Sequence, residues 1–421
     1  MTTSRPDRSI PGQALLSSLL GSATLSPVAA KALVADFARH PGPKHGLLVG
    51  ATPRSAVLSA SIDALFPDDR LTVVAGTAIE AVRAEIREAG AWVEDRVRVV
   101  EALGAAEPAD AVILAEPVSG GADEVRGDLE ALGKYVSGGG VISVAVAAAP
   151  FLAGGAGEEL QRQATLFGVG GDLVVRNRPP VRVHRLRYTT GDPALAQRLA
   201  PLPRTSSVAV TTRMHIDSNG IAAAAICLGA AALIRRTRSK WWLLPALAAA
   251  PVAAFFRDPE RSGPDDPAAV VAASDGKVLG VERLRDERLG DDEYLRIAVF
   301  LSVLDVHVNR SPVAGRVVDH FMVDGGFAAA MKPEAEHNVA GYTVLETTHG
   351  TVAVAQRTGL IARRIVHRSP VGALLARGER FGLIRFGSRT DVYLPADAAT
   401  ATVGPGDRVI GGETVIARWT S

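Results

Sequence analysis

The chain has little of most features that mark a specialised environment. There is one cysteine, Cys227, in 421 residues, which excludes an intramolecular disulfide framework and a cysteine-rich zinc module. Cys227 lies in an apolar run, where a reactive thiolate is disfavoured. Lys and Arg number 46 against 45 Asp and Glu, a net charge of +1, so no nucleic-acid partner held by phosphate contacts is expected. Aromatic residues are only 5% of a chain that is 47% hydrophobic, so alanine and valine carry much of the core. The first residues lack the charged, apolar and small-residue sequence of a secretory leader. No apolar run reaches the ~20 residues of a straight bilayer-crossing helix. What the chain does have is length, enough for roughly two or three domains.

Residues 12–39 carry Leu15, Leu16, Leu19, Leu20, Leu33, Val34 and Phe37 at helical spacings. Short apolar strands then alternate with helices. Strands are read at 46–50, 71–74, 97–100, 110–114 and 141–146, and helices at 54–65, 78–89 and 122–137. Such alternation predicts a parallel sheet covered on both faces. Segments near 172–176 and 181–188 would add an antiparallel edge hairpin. Residues 1–200 are therefore read as an α/β, Rossmann-like domain, and residues 201–219 as a linker.

The composition then changes. Residues 221–234 (IAAAAICLGAAALI) are uncharged, Arg235, Arg236, Arg238 and Lys240 follow, and 241–256 (WWLLPALAAAPVAAFF) are uncharged again. Two apolar helices joined by a basic turn with two tryptophans suit an interfacial or re-entrant hairpin over 220–256; the competing reading is a pair of buried alanine-rich helices. From 257 to 421 short strands, at 269–272, 295–300, 351–355 and 414–417 among others, are closely punctuated by Gly and Pro, which predicts a mostly β domain.

Four clusters in this last region carry candidate chemistry. They are Phe255-Phe256-Arg257-Asp258-Pro259-Glu260-Arg261 leading to Ser274-Asp275-Gly276; Val306-His307-Val308-Asn309-Arg310-Ser311-Pro312; Ile361-Ala362-Arg363-Arg364; and Phe386-Gly387-Ser388-Arg389-Thr390-Asp391. Gly387 has no side chain to shield its carbonyl, and the Ser388 hydroxyl next to it can attack that carbonyl, given a base. Taken singly, Gly387-Ser388 reads as a turn or bulge, Asp275-Gly276 as a turn, and His307 as a satisfied polar residue.

Together, in order and spacing, the clusters from about 215 to 421 resemble phosphatidylserine decarboxylases of the short bacterial and archaeal type. The resemblance implies a proenzyme that cuts itself between Gly387 and Ser388 into a β chain of residues 1–387 and an α chain of residues 388–421. It implies a pyruvoyl cofactor made from Ser388, and decarboxylation of phosphatidylserine to phosphatidylethanolamine and CO2 through a Schiff base, without a metal or pyridoxal phosphate. Asp275 matches the aspartate assigned to self-cleavage, and His307 the histidine near the substrate carboxylate. Long members carry a second histidine where Arg310 stands, so His320, His337 and His367 stay open as processing bases. Asn338 survives from an Asn-Glu-Arg motif and, with Arg363 and Arg364, is a candidate substrate contact. The guanidinium pair suits a lipid phosphate, or else is simply solvated. The implied location is the cytoplasmic side of the cell membrane, peripheral or hairpin-anchored, with phosphatidylserine in the membrane as partner and a homo-oligomer left open.

The first 200 residues resemble a class I methyltransferase whose cofactor loop has degenerated. Gly50-Ala51-Thr52-Pro53 keeps one glycine of the usual several, and Val74 is followed by Ala75-Gly76 rather than by an acid. A scaffold or regulatory role is expected. Two other readings stay open: a bifunctional decarboxylase with an active S-adenosylmethionine-dependent methyltransferase, and an inactive lipid-binding homologue.

Overall fold

The computed structural model describes residues 24–202, 207–211, 213–237, 240–360, 364–385 and 388–420. Gly387, Arg363 and the first half of the helix expected over 12–39 lie outside them. The chain divides into two compact units: 1–38, 42–166 and 171–186 form the first, and 39–41, 167–170 and 187–421 the second.

In the first unit the strands are β1 (His45–Val49), β2 (Arg70–Val74), β3 (Val97–Val100), β4 (Ala109–Leu114), β5 (Val136–Ala147), β6 (Gly168–Val174, of which residues 171–174 fall in this unit) and β7 (Val181–Leu186). They form one sheet in the order β3-β2-β1-β4-β5-β7-β6. β1 to β5 pair in parallel, and β7 runs antiparallel to β5. Leu47 and Leu48 of β1 point to opposite faces and are both fully buried, as expected for a central strand with helices on each side. The α/β, Rossmann-like expectation is met. The helix Pro150–Phe167 was not anticipated: its first turns read Phe-Leu-Ala-Gly-Gly-Ala-Gly, poor helix formers, and Gly154 breaks the helical geometry at φ 53°. After β1, the amides of Gly50 and Ala51 both donate to the Val74 carbonyl, at 3.0 and 3.2 Å, so this loop turns its N–H groups into the sheet.

The second unit carries β8 (Ser207–Ala209), β9 (Met214–Asp217), β10 (Arg257–Pro259), β11 (Ala269–Val271), β12 (Gly276–Arg285), β13 (Glu293–Leu301), β14 (Val308–Arg310), β15 (Gly315–Val323) and β16 (Ala340–Thr347). It continues with β17 (Gly350–Arg357), β18 (Ile365–His367), β19 (Leu374–Leu375), β20 (Arg380–Ile384), β21 (Ser388–Pro395), β22 (Ala399–Ala401), β23 (Arg408–Val409) and β24 (Val415–Trp419). Eight of them form the largest sheet, β19-β15-β16-β17-β21-β13-β12-β23, hereafter the central sheet; the rest form three small sheets, β10-β9-β8, β11-β24-β22 and β14-β20-β18. The mostly β expectation holds.

Two boundaries differ from the sequence reading. Residues 187–200 belong with the second unit, where Ala196 and Leu199 pack on Leu374 and Ala376. The supposed linker 201–219 contains β8 and β9, which pair with each other and with β10; partners some 40 residues away are invisible in local composition.

Between β9 and β10 rise the helices Ser218–Arg236 and Leu243–Phe255. The first is longer than its apolar run and, by length and composition, long enough to cross a bilayer. Its foot is nevertheless tied to the foot of the second: Asp217 N–H donates to the Phe256 carbonyl at 3.0 Å, and Arg257 lies opposite Ile216 in the β9–β10 pair. Whatever the hairpin enters, it returns on the same side.

Candidate active site

β21 alternates two kinds of residue. Val392 and Leu394 enter a core with Ile297, Val299, Val354 and Phe381, and Ser388 and Thr390 share that face by strand period. Arg389, Asp391 and Tyr393 face the other way. Ser388 opens the strand opposite Leu301 of β13. It is fully buried, and its Oγ has no hydrogen-bond partner among the described residues.

The antiparallel register brings other candidates to the same end of the sheet. Lys277 of β12 lies opposite Phe300, and Phe300 opposite Arg389, so Asp275-Gly276 at the start of β12 flanks the end of β13 from one side as Ser388 flanks it from the other. Two strand spacings, about 10 Å, separate β12 from β21. Gly276 is required there: its φ is +154°, and a Cβ would sit 2.1 Å from the Phe300 carbonyl oxygen. The Asp275 carboxylate accepts from Arg261 Nη2 and from Gly411 N–H, both at 2.8 Å. Burial raises its pKa, with Arg261 and the Gly411 amide opposing.

His307 follows the turn after β13. Its carbonyl accepts from Ile384 N–H at 3.2 Å, which fastens it to the strand that feeds Ser388. The ring is buried and packs on Phe255, centroids 4.2 Å apart. Nδ1 lies 2.9 Å from the Asp305 carbonyl oxygen; a carbonyl only accepts, so Nδ1 carries the proton and Nε2 is the basic nitrogen. Burial pushes the imidazole down to about 4, so it is neutral at pH 7.

The remaining candidates are spread out. Arg310 donates to Asp258 Oδ1 (3.1 Å) and to the Pro259 and Gly378 carbonyls (2.9 and 3.0 Å); Asp258 also accepts from Arg380 Nε at 2.7 Å. A guanidinium so bound holds the loop and is no base. His320 and His367 stack on each other at 3.5 Å. Three strands and four residues separate His320 from Ser388, on the order of 20 Å. His337 ends a short helix outside the sheet. Asn338 is buried and spends its amide on the backbone, accepting from Ala328 N–H (2.7 Å) and donating to the Ala328 and Thr358 carbonyls (2.9 and 2.8 Å). Arg364 is exposed.

Several residues here escaped the sequence reading. On the far face of β21, Asp391 accepts from Arg357 Nε (2.7 Å) and Arg389 Nε (2.5 Å), and Arg357 Nη2 also donates to the hydroxyls of Tyr342 and Tyr393 (2.9 and 3.1 Å). On the Ser388 face, Ser274 Oγ meets Thr390 Oγ1 at 2.6 Å, and Gln356 Nε2 donates to Asn309 Oδ1 at 2.7 Å. Arg385 Nη2 donates to Asn219 at the foot of the hairpin, 2.6 Å. Asp391 and Asn309 stand inside recognisable motifs; Gln356 and Asn219 give no local signal.

A family model described as phosphatidylserine decarboxylase matches residues 249–417. The chain is 50% identical over 166 residues to a phosphatidylserine decarboxylase proenzyme of Symbiobacterium thermophilum, covering 39% of this chain and 77% of that one. It is 46% identical over 164 residues to another from Geotalea uraniireducens, covering 38% and 76%. Among solved structures, an O-methyltransferase from Bacillus cereus is similar at 15% identity and a TM-score of 0.30, covering 42% of this chain and 88% of that one.

Proposed function

Since the chain belongs to the phosphatidylserine decarboxylase family, we propose that it is a proenzyme that cuts itself between Gly387 and Ser388 and then decarboxylates phosphatidylserine. The observation that supports this most is the buried, unpartnered Ser388 Oγ at the end of the sheet shared with Asp275, with His307 in the segment after β13 bonded to Ile384. Burial without a partner raises the free energy of the hydroxyl and keeps water away from it. Neutral His307, with its Nδ1 proton committed to Asp305, offers Nε2 to take the hydroxyl proton. Ser388 Oγ then bonds to the Gly387 carbonyl carbon, the C–N bond breaks, and the nitrogen gains a proton, which leaves an ester. Loss of the Ser388 Cα proton expels residues 1–387 as a carboxylate. Hydration of the remaining double bond, with departure of ammonia, yields the pyruvoyl group at the new terminus.

Ser388 fits as its precursor: position and burial hold the terminus inside the sheet, away from solvent. The pyruvoyl carbonyl supplies an electron sink that no ordinary side chain provides. In this reading His307 holds and returns the proton that replaces CO2, and Asp275, held by Arg261 and Gly411, gives a carboxyl of raised pKa at the opposite side of β13. The α/β unit enters this reading as a scaffold, its first loop amides being turned to Val74.

Intact mass under denaturing conditions tests the reading. Two chains, 1–387 and 388–421, the shorter with a blocked terminus, are expected; a single uncleaved chain in active enzyme would overturn it.

The helical hairpin supports a reading in which the site works at a lipid surface. Ile226, Trp241 and Leu247 are 73, 71 and 72% exposed, more apolar surface than water tolerates. The turn adds Arg235, stacked over Trp242 at 5.6 Å, Arg236 and Lys240. Reversing these three charges to Glu should lower sedimentation with anionic vesicles at least tenfold, as ~1 kcal/mol per charge implies. Binding to purely zwitterionic vesicles should change little.

A further inference from the structure

Three buried polar atoms without a partner stand on one side of the central sheet: Ser388 Oγ, Asn309 Nδ2 and Gln356 Oε1. Gln356 lies opposite Thr390 on the neighbouring strand, so its side chain emerges on the Ser388 face, one diagonal step away, about 7–8 Å. Asn309 comes from β14, opposite Gly382. The Gln356 amide lies over Gly382, where a Cβ would meet Nε2 at 3.1 Å. Gln356 and Asn309 are both fully buried and are joined by one hydrogen bond. Two primary amides joined by one such bond always leave one end donating and one end accepting, whichever way the pair is turned. A buried amide end without a partner is costly, and such a group persists where it serves a step in which a partner arrives.

The self-cleavage proposed above makes that partner. When Ser388 Oγ attacks, the carbonyl electrons move onto oxygen, and the oxyanion needs a donor held in place beforehand. Other polar groups at this end are engaged: both Asp275 oxygens accept from Arg261 and Gly411, Arg310 is bound to Asp258 and two carbonyls, and Arg385, whose Nε has no partner among the described residues, is held through Nη2 by Asn219. We propose that Asn309 Nδ2 is the donor to the oxyanion of self-cleavage and that Gln356 is a positioning residue that fixes the Asn309 amide with its N–H groups outward. The proposal rests on the self-processing reading.

The test follows the cleavage time course of full-length protein by intact mass, with a thermal melt for each variant. Asn309→Ala is expected to slow cleavage 100-fold or more, the usual loss for one such donor, and Gln356→Ala about tenfold. Asn309→Asp keeps the shape but carries a negative charge at pH 8. It should be slow there and regain speed relative to the parent chain between pH 7 and 5, as the carboxyl gains a proton it can donate. His307, at about 4, stays neutral over that range. A purely structural role for Asn309 gives no such recovery. Parent-rate cleavage by Asn309→Ala, or a flat pH ratio for Asn309→Asp, would overturn the assignment. A parent chain that never cleaves would instead overturn the self-processing reading itself.

Discussion

Ser388→Ala is expected to remain a single chain of 421 residues and to release no CO2 from phosphatidylserine. Without Oγ no ester forms, and an amide in a dry strand has no other nucleophile. The loss is all-or-none because the same atom is needed twice, first as nucleophile and then as leaving group. The variant should also fold at least as well as the parent proenzyme. Ser388 Oγ is buried without a partner, so its removal costs no hydrogen bond and relieves a desolvated hydroxyl. A melting temperature equal to or above that of the uncleaved parent, with no cleavage and no activity, is the combined result. Decarboxylation by this variant would refute the role of Ser388, and a lowered melting temperature would refute the account of its surroundings.

The largest stability effect is expected at Arg357. Its guanidinium and the Asp391 carboxylate are both fully buried, and it donates to the hydroxyls of Tyr342 and Tyr393. Arg357→Met leaves Asp391 with Arg389 alone, and removing one partner of a buried pair costs about 3–5 kcal/mol. Urea unfolding in the uncleavable Ser388→Ala background keeps the chain single and gives this difference directly. The pH dependence has a definite sign. Burial alone would raise the pKa of Asp391, but Arg389 and Arg357 outweigh it and the net direction is down from 3.8. Its stabilising contribution is therefore complete above the unfolded value and is lost as pH falls through the lower, folded one. Without Arg357 the folded value rises, so the acid limb of the stability curve should move to higher pH.

How much of this was legible in the sequence depended on the range of the interaction. Short apolar strands such as Leu47-Leu48-Val49 announce a buried parallel sheet because burial on both faces leaves no polar alternation. Asp275-Gly276 and Phe386-Gly387-Ser388 were visible as motifs, and the fold places Asp275 and Ser388 at one end of the sheet through antiparallel register. Helix Pro150–Phe167 was not legible, since its glycines argue for a loop and only packing of Ala156 and Leu160 overrides them. Gln356 was not legible either. Its importance lies in facing Thr390 and Asn309 across strands, and register is set by the whole sheet rather than by residues near 356.

The position of β21 has a consequence for the processed molecule. The fragment 388–421 would carry β21, which lies between β17 and β13, and β24, which lies between β11 and β22. β20, which ends four residues before Ser388, belongs to a different sheet. Scission before Ser388 would therefore sever a crossover between sheets and leave these ladders intact, with a 34-residue peptide woven through the centre of its parent. Folding happens once, as a first-order event in a continuous chain. After scission the same native contacts can be regained from the unfolded state only by a bimolecular encounter, whose yield depends on concentration. On the proposed chemistry the new terminus would also lack the Ser388 that made it. Each processed molecule would then have had one chance to assemble, and its persistence would be governed by how slowly it unfolds.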